Sequence, residues 1–382
     1  MKVVFASATE QSPLGGAEIS SWLLKSELQK KNVEIRLLSI DRVEKSEKNS
    51  EIFLIPIRWV PTKLLYIGNA FLDLLIGYHS RKYLEKNPAD LIHIQDIYIL
   101  PGVLEAARKL KIPTIVTVRD NVPRLPVFSN NKIYKTMATL SYIHRSQAIK
   151  KALKNADMII AISEHIKNNL IALGISSEKI KVIYNIPPNW SCENKTEEKI
   201  IFSAGRLKEE KGFDVLIRAF SLVAEKLPDF NLEIAGSGPD YARLEKLIHK
   251  LNLNGRAQLI GKLKYDEMRT MYCKSSVVVM PSLYPEPLGR IPIEGMSAGK
   301  PIITAATGGA VELVKDGFNG FIYAPGDYLQ LADRLLELCK DKKLRAEFGL
   351  NGKKFLAQKL DKEQITYKTL ELYNQLTGLR KK

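Results

Sequence analysis

The sequence predicts an α/β protein made of two doubly wound domains in series, and three features lead there. The chain is 382 residues long, against about 150 for a usual domain, so about two to three domains with buried cores fit its length. Short β-branched runs alternate with longer segments of helical period, the pattern of parallel strands joined by crossover helices. The alternation breaks once, at a proline-containing polar stretch, and then resumes.

Taken in order, residues 3–7, 34–38, 91–94, 114–118, 158–162 and 181–184 read as strands of a first domain, each a short, mainly apolar and β-branched run. Segments of helical period fill most of the gaps, and each has to bury one stripe against the sheet. Asn185-Ile186-Pro187-Pro188-Asn189 and the polar run to Glu198 read as a linker. Beyond it, residues 200–204, 232–235, 258–260, 277–280 and 302–305 repeat the strand pattern. One amphipathic segment from about residue 361 to 379 is left over after the second sheet is complete. The expected division is a first domain over 1–187, a second over 188–360 and a closing helix over 361–382 that packs back on the first. Doubly wound sheets bind ligands at the carboxyl ends of their strands, so loops from both domains are expected to carry the chemistry.

Hydrophobic residues make up 45% and charged residues 26% of the chain, with 23 Gly and 18 Pro. That balance fits a globular protein and excludes collagen-like, disordered and membrane-bundle chains. Cys192, Cys273 and Cys339 are too few and too scattered for a zinc knuckle or a disulfide framework, which leads to the expectation of a reducing compartment. Residues 1–7 run directly into a strand-like stretch without the features of a signal peptide, so a cytoplasmic location is expected. The most apolar long stretch, residues 64–77, is interrupted by Asn69 and Asp73 and falls short of the ~20 residues that span a bilayer.

There are 58 Lys and Arg against 42 Asp and Glu, a net charge of +16, which suits phosphorylated substrates, nucleic acid or an anionic membrane face. Over half of it lies in residues 101–155, where eleven basic residues stand against Glu105 and Asp120. Interleaved Ile133, Tyr134, Met137, Leu140, Tyr142 and Ile143 would let this segment lie on anionic lipid as a basic amphipathic surface. A solvated helix face fits the same pattern.

Four segments carry candidate chemistry. After the first strand, Gly15-Gly16-Ala17-Glu18 opens a helix with paired glycines that allow close backbone approach to a ligand; a plain tight turn is the other reading. The second domain opens with a strand, Gly205, Arg206 and Leu207, then Lys211-Gly212 before a helix. Two cations and a helix start aimed at one point suit a diphosphate, unless Glu209 and Glu210 simply neutralise them. Gly236-Ser237-Gly238 ends another strand where a flat base can lie against bare backbone, but no third glycine completes a dinucleotide fingerprint. The fourth and richest segment runs from Pro281 to Gly299, with Glu286 in a proline-rich loop and Glu294 in the first turns of a helix. The amides near Leu288, Gly289 and Arg290 form a second anion-facing helix start. Glu286 suits sugar hydroxyls and Glu294 the vicinal hydroxyls of a ribose, as paired acceptors. The blander alternatives are a surface loop charge and a dipole-compensating residue. No Asp-x-Asp cluster stands ready for a divalent metal, so no metal site is expected and protein cations must meet phosphate charge.

In combination these motifs, with Gly308-Gly309-Ala310-Val311-Glu312, resemble the family-4 retaining glycosyltransferases of GT-B fold across essentially the whole chain. The resemblance implies two Rossmann-like domains facing across a cleft and a final helix that crosses back. It implies a nucleotide-diphosphate-sugar donor as substrate, no separate cofactor, and a sugar or lipid-linked acceptor. Position by position, it makes Arg206 and Lys211 the diphosphate-binding cations and Glu286 the donor-sugar contact, and these three carry catalysis. Donor binding falls to Gly15, Gly16, Gly205, Gly238, Leu288, Gly289, Arg290 and Glu294. Gln95 and Arg119 stand where the family often has histidines near the transferred sugar. Gln95 hydrogen-bonds but does not shuttle protons, and His93 reads as a strand residue. The resemblance further implies retention, with the departing phosphate taking the acceptor's proton. A hexosyl transfer in cell-surface polysaccharide or glycolipid synthesis, with contact to an anionic cytoplasmic membrane face, is the expectation. A sugar-nucleotide epimerase of the same fold and a basic nucleic-acid-binding protein are the alternatives, and no nucleic-acid-binding module is found to support the second.

Overall fold

The computed structural model describes residues 1–7, 15–40, 52–55, 70–122, 132–190, 192 and 197–378, with the backbone path alone for 40, 52–55, 70 and 132–142. The chain divides into two compact units, Met1–Ile186 with Lys362–Lys382, and Pro187–Asp361.

The first unit is a parallel sheet of β1 (Lys2–Ser7), β2 (Glu34–Ile40), β3 (Ile52–Ile55), β4 (Leu91–Ile94), β5 (Thr114–Val118), β6 (Met158–Ala161) and β7 (Ile180–Val182). Their order is β3-β2-β1-β4-β5-β6-β7. Strands β1, β4, β5 and β6 are buried along almost their whole length, because both faces are covered and a continuous apolar run is what such a strand needs. The helices are α1 (Gly16–Lys30), α2 (Ala70–Lys86), α3 (Leu100–Lys109), α4 (Lys132–Asn155) and α5 (Glu164–Ala172). The chain leaves β1 toward β2 through α1, then returns through α2 to β4 and continues through α3 and α4 in the opposite direction. Right-handed crossovers running opposite ways lie on opposite faces, which puts α2, α3 and α4 together on one side. Accordingly α2 packs on α3, and α3 on α4.

The second unit repeats the plan with β8 (Ile200–Ala204), β9 (Asn231–Ala235), β10 (Ala257–Gly261), β11 (Val277–Met280), β12 (Ile302–Ala305) and β13 (Gly320–Tyr323). Their order is β10-β9-β8-β11-β12-β13, all parallel. Around them run α6 (Phe213–Val223), α7 (Tyr241–Lys250), α8 (Tyr265–Lys274), α9 (Arg290–Ser297), α10 (Tyr328–Lys340) and α11 (Lys342–Lys359). Its core is built from Ile201, Phe213, Phe220, Val277, Val279 and Leu335, all buried. The order of strands reverses between β1 and β4 in one unit and between β8 and β11 in the other, the two switch points where ligands bind in sheets of this kind. Both units are therefore Rossmann-like. The last helix, α12 (Lys362–Gly378), packs on α1 and β4 of the first unit.

Two strands escape the sequence reading. Both β3 and β13 are strands at the edge of their sheet. One expectation is overturned. Cys192 and Cys273 form a disulfide with Cα atoms 5.4 Å apart, while Cys339 is free and buried. Their 81-residue separation hid the pairing, because only the fold brings the linker past the end of α8. The premise for a reducing compartment falls with it. No helix among the described residues is long and apolar enough to cross a membrane.

Candidate active site

In the second unit the carboxyl end of β8 leads through Gly205 and Arg206 to a single turn, Glu209–Lys211, and then to Gly212 at φ 66°. Gly212 has to be glycine twice over. Its left-handed backbone disfavours a side chain, and a Cβ would run into the Pro281 carbonyl. That close approach fastens this loop to the Pro281–Pro287 loop, and the Leu283 and Tyr284 amides add to it by donating to the Glu210 carbonyl at 2.9 and 3.1 Å. The result is a partly buried ion pair. Lys211 Nζ lies 2.6 Å from Glu286 Oε1, and Ser282 Oγ donates to the same oxygen at 2.7 Å. Glu286 is only 9% exposed, so it is no surface loop charge. Its backbone is fixed by Gly309, whose amide donates to the Glu286 carbonyl at 2.7 Å, and by Gly308, where a Cβ would collide with the Glu286 backbone.

Glutamates 209 and 210 do not neutralise Lys211, because Glu286 does. Arg206 is exposed, and among the described residues its side chain has no hydrogen-bond or ion-pair partner. The starts of α6 and α9 are Gly212 and Gly289, neither with a side-chain cap, which leaves first-turn amides directed at whatever anion approaches. Leu288 is buried and presents only its backbone there. Within α9, Glu294 is 6% exposed; Arg290 one turn earlier holds its Oε1 through Nε at 2.9 Å and Nη2 at 2.8 Å. Burial, with the Glu294 carboxylate close by, pushes the Tyr272 phenol well above its usual range. The glycines at the end of β9 have a nearer purpose than a base: Cβ atoms at Gly236 and Gly238 would strike the carbonyls of Gly205 and Leu207, so they let the β8 and β9 loops pack together.

The first unit collects a different set. Gly15 caps α1 without a side chain, Gly16 is exposed, and loop 8–14 lies outside the described residues. Gln95, 3% exposed, accepts from Ser21 Oγ at 3.1 Å, and its Nε2 has no partner among the described residues. Arg119 Nη1 donates to the Gln95 carbonyl at 3.3 Å, so these two predicted residues do meet. Residues of α1, β5, α12 and the segment after β7, Ser20, Arg119, Asn185 and Thr369 among them, line a small cavity beside them. His93 is fully buried between Tyr373 Oη and Thr117 Oγ1, each 2.6 Å away. Burial, with Arg119 adding to it, holds its ring well below the usual pKa, so it is a neutral structural link. Asp96, which the sequence reading passes over, follows Gln95 at the carboxyl end of β4. Burial raises its pKa to about 6; the Tyr98 amide opposes the rise, and Glu18 and Asp120 add to it. Its position two residues past the carboxyl end of β4 was the available signal.

Two family models cover the chain: glycosyltransferase family 4 matches residues 14–186 and glycosyl transferases group 1 matches residues 190–355. An uncharacterized glycosyltransferase of Methanocaldococcus jannaschii is 31% identical over 355 residues, 91% of each chain. The capsular polysaccharide biosynthesis glycosyltransferase CapM of Staphylococcus aureus is 26% identical over 371 residues, again 91% of each. Among solved structures, Anabaena HepE in complex with UDP and glucose superposes with TM-score 0.76 at 22% identity, over 98% of this chain and all of that one. Sucrose-phosphate synthase from Thermosynechococcus elongatus gives TM-score 0.78 at 20% identity over 99% of each.

Proposed function

This chain belongs to the family-4 glycosyltransferases of GT-B fold, and from that premise we propose that it moves a hexose from a nucleotide-diphosphate-sugar to an acceptor hydroxyl with retention of anomeric configuration. The second unit takes the donor and the first unit the acceptor. One observation carries the reading: Lys211 and Glu286, 75 residues apart in sequence, are joined at 2.6 Å at the uncapped start of α6, on a connection that also carries the exposed cation Arg206.

Breaking the anomeric bond leaves charge on a diphosphate, and preorganised cations and amides in a partly dry site lower the barrier most where that charge develops. Arg206 and Lys211 supply the counter-charge. When the diphosphate arrives, Lys211 exchanges the Glu286 carboxylate for a phosphate oxygen and frees Glu286 to accept from the sugar hydroxyls. Glu294, preset by Arg290, takes the ribose hydroxyls. The acceptor hydroxyl enters on the face the phosphate leaves, and the departing phosphate takes its proton. No metal is needed in this scheme, and chelation with EDTA is expected to leave turnover unchanged. CapM acts in capsular polysaccharide biosynthesis and HepE binds UDP and glucose, which supports a uridine-diphosphate-sugar and a surface polysaccharide or glycolipid acceptor. A thermal-shift screen of nucleoside diphosphates and their sugar conjugates tests the donor, because a bound ligand raises the melting point by mass action. Donor turnover that requires an acceptor separates transfer from epimerisation. A flat screen would refute the donor assignment.

A further inference from the structure

We propose that the outer face of α2 is a docking surface for an anionic lipid bilayer, a location for the acceptor of the transfer proposed above, on which this assignment rests. The starting point is a helix with apolar residues on both sides. Leu72, Ile76, Tyr83 and Leu84 face the core and are buried. Phe71, Leu74 and Tyr78 recur at spacings of three and four on the opposite side and are 56%, 60% and 52% exposed. An amphipathic helix of a water-facing layer keeps its outer stripe polar, so the apolar outer stripe of the first half of α2 implies a second apolar environment. Farther along the same stripe the residues turn cationic: Lys82 lies 4.5 Å from the centre of the Tyr78 ring, and Arg81 and Lys86 follow. Aromatic and aliphatic side chains at one end with lysines at the other is the composition of an interfacial helix.

The surroundings select the partner. Helices α2, α3 and α4 share one face of the sheet and together carry eleven Lys or Arg against three Asp or Glu, a net of +8. Among the described residues Lys82, Lys86, Arg108, Lys151 and Lys154 are exposed and in no ion pair. A second copy of this chain would oppose the same positive layer and be repelled. Nucleic acid would use the charge but leave the Phe71–Leu74–Tyr78 stripe in water. An anionic surface with an apolar interior satisfies both.

The face is also rigid. At the crossing of α2 and α3, a Cβ on Gly102 would sit 2.6 Å from the Asp73 carbonyl and 2.9 Å from Ile76, so the two backbones touch. Arg145 of α4, 1% exposed, is paired with Asp73 through Nη1 and donates from Nη2 to the Tyr98 carbonyl. That ties α4 to α2 directly beside Leu74. The basic segment of α4 that the sequence singled out is thus attached to the stripe, although the side chains of residues 133–142 lie outside those described.

The test is flotation of the full chain with vesicles of phosphatidylcholine and of phosphatidylcholine mixed with phosphatidylglycerol. We expect at least ~10-fold more protein on the anionic vesicles, with binding falling as salt is raised. The pair of substitutions Leu74→Ser and Tyr78→Ser, both at exposed positions, is expected to cut vesicle binding by ~10-fold or more. Lys82→Glu with Lys86→Glu is expected to abolish the preference for anionic lipid. The nucleotide-induced thermal shift is expected to persist in both variants and reports folding and donor binding separately, so a failed donor assignment and a failed docking surface give different results. Equal recovery on the two vesicle types, unchanged binding by the serine variant, or stronger binding to single-stranded nucleic acid than to anionic vesicles would each overturn the proposal.

Discussion

Lys211 stands between two anions, the Glu286 carboxylate that holds it at 2.6 Å and the diphosphate proposed to replace it. The two members of the pair are therefore predicted to fail differently. Lys211→Ala removes a charge made for the leaving group and is expected to lower turnover by about 100-fold or more, the scale for losing one oxyanion-type donor. Glu286→Gln removes the sugar contact but releases Lys211. Turnover is expected to fall while affinity for the bare nucleoside diphosphate, measured by calorimetry, holds or improves. Weaker diphosphate binding in Glu286→Gln would show that the carboxylate serves only to position the lysine. In the other unit, Asp96 gives a pH prediction. Its carboxyl is raised from 3.8 to about 6, so the folded state holds its proton more tightly than the unfolded chain. The group then contributes stability below about pH 4 that is lost as pH rises through 6, a change of ~3 kcal/mol. Asp96→Asn should therefore gain on the wild type by about that amount between pH 4 and 7 in urea unfolding. A pH-independent difference would mean that Asp96 ionises freely in the folded protein.

At the scale of elements, α8 is held from two sides. Its last turns carry Tyr272, which packs on Trp190 and Phe202, and Cys273, which is bonded to Cys192 in the linker. Closing 81 residues into a loop restricts the unfolded chain, so reduction is expected to cost the second unit about 2–4 kcal/mol. Denaturant midpoints with and without reductant measure it, and Cys273→Ser should reproduce the reduced value. Unchanged midpoints would mean that the tether restrains little. The disulfide also marks where sequence reading stops. Central strands such as β1, β5 and β11 were legible because burial on both faces demands β-branched runs, whereas β3 and β13, at the edges of their sheets, were passed over. The Lys211–Glu286 contact was not legible: the sequence reading gave the two residues separate roles and did not join them. No local rule joins residues 75 apart, and the glycines that permit it, Gly212 and Gly308, look like ordinary turns until the backbone carbonyls they face are known. The raised pKa of Asp96 was illegible for a related reason: it comes from burial together with Glu18 and Asp120, on separate segments.

At the scale of the molecule, the chain closes the first unit with its own last helix. Ile365, Leu372 and Tyr373 of α12 are each no more than 6% exposed, and burying a side chain of that size stabilises by about 1.5–3 kcal/mol. Together they rival the ~5–15 kcal/mol that separates a folded domain from its unfolded state. Tyr373 also completes the hydrogen bonding of His93, whose loss would leave a buried ring nitrogen in need of a partner. The first unit therefore draws part of its packing from residues 362–378, although all its strands lie within residues 2–182. Deleting residues 362–382 is predicted to leave the second unit folded and the first unit largely open. Hydrogen exchange reads both at once: amides of β1 and β4 should lose protection, while those of β8 and β11 keep it. If β4 stays as protected as in the full chain, α12 is an accessory and the first unit has another source of stability.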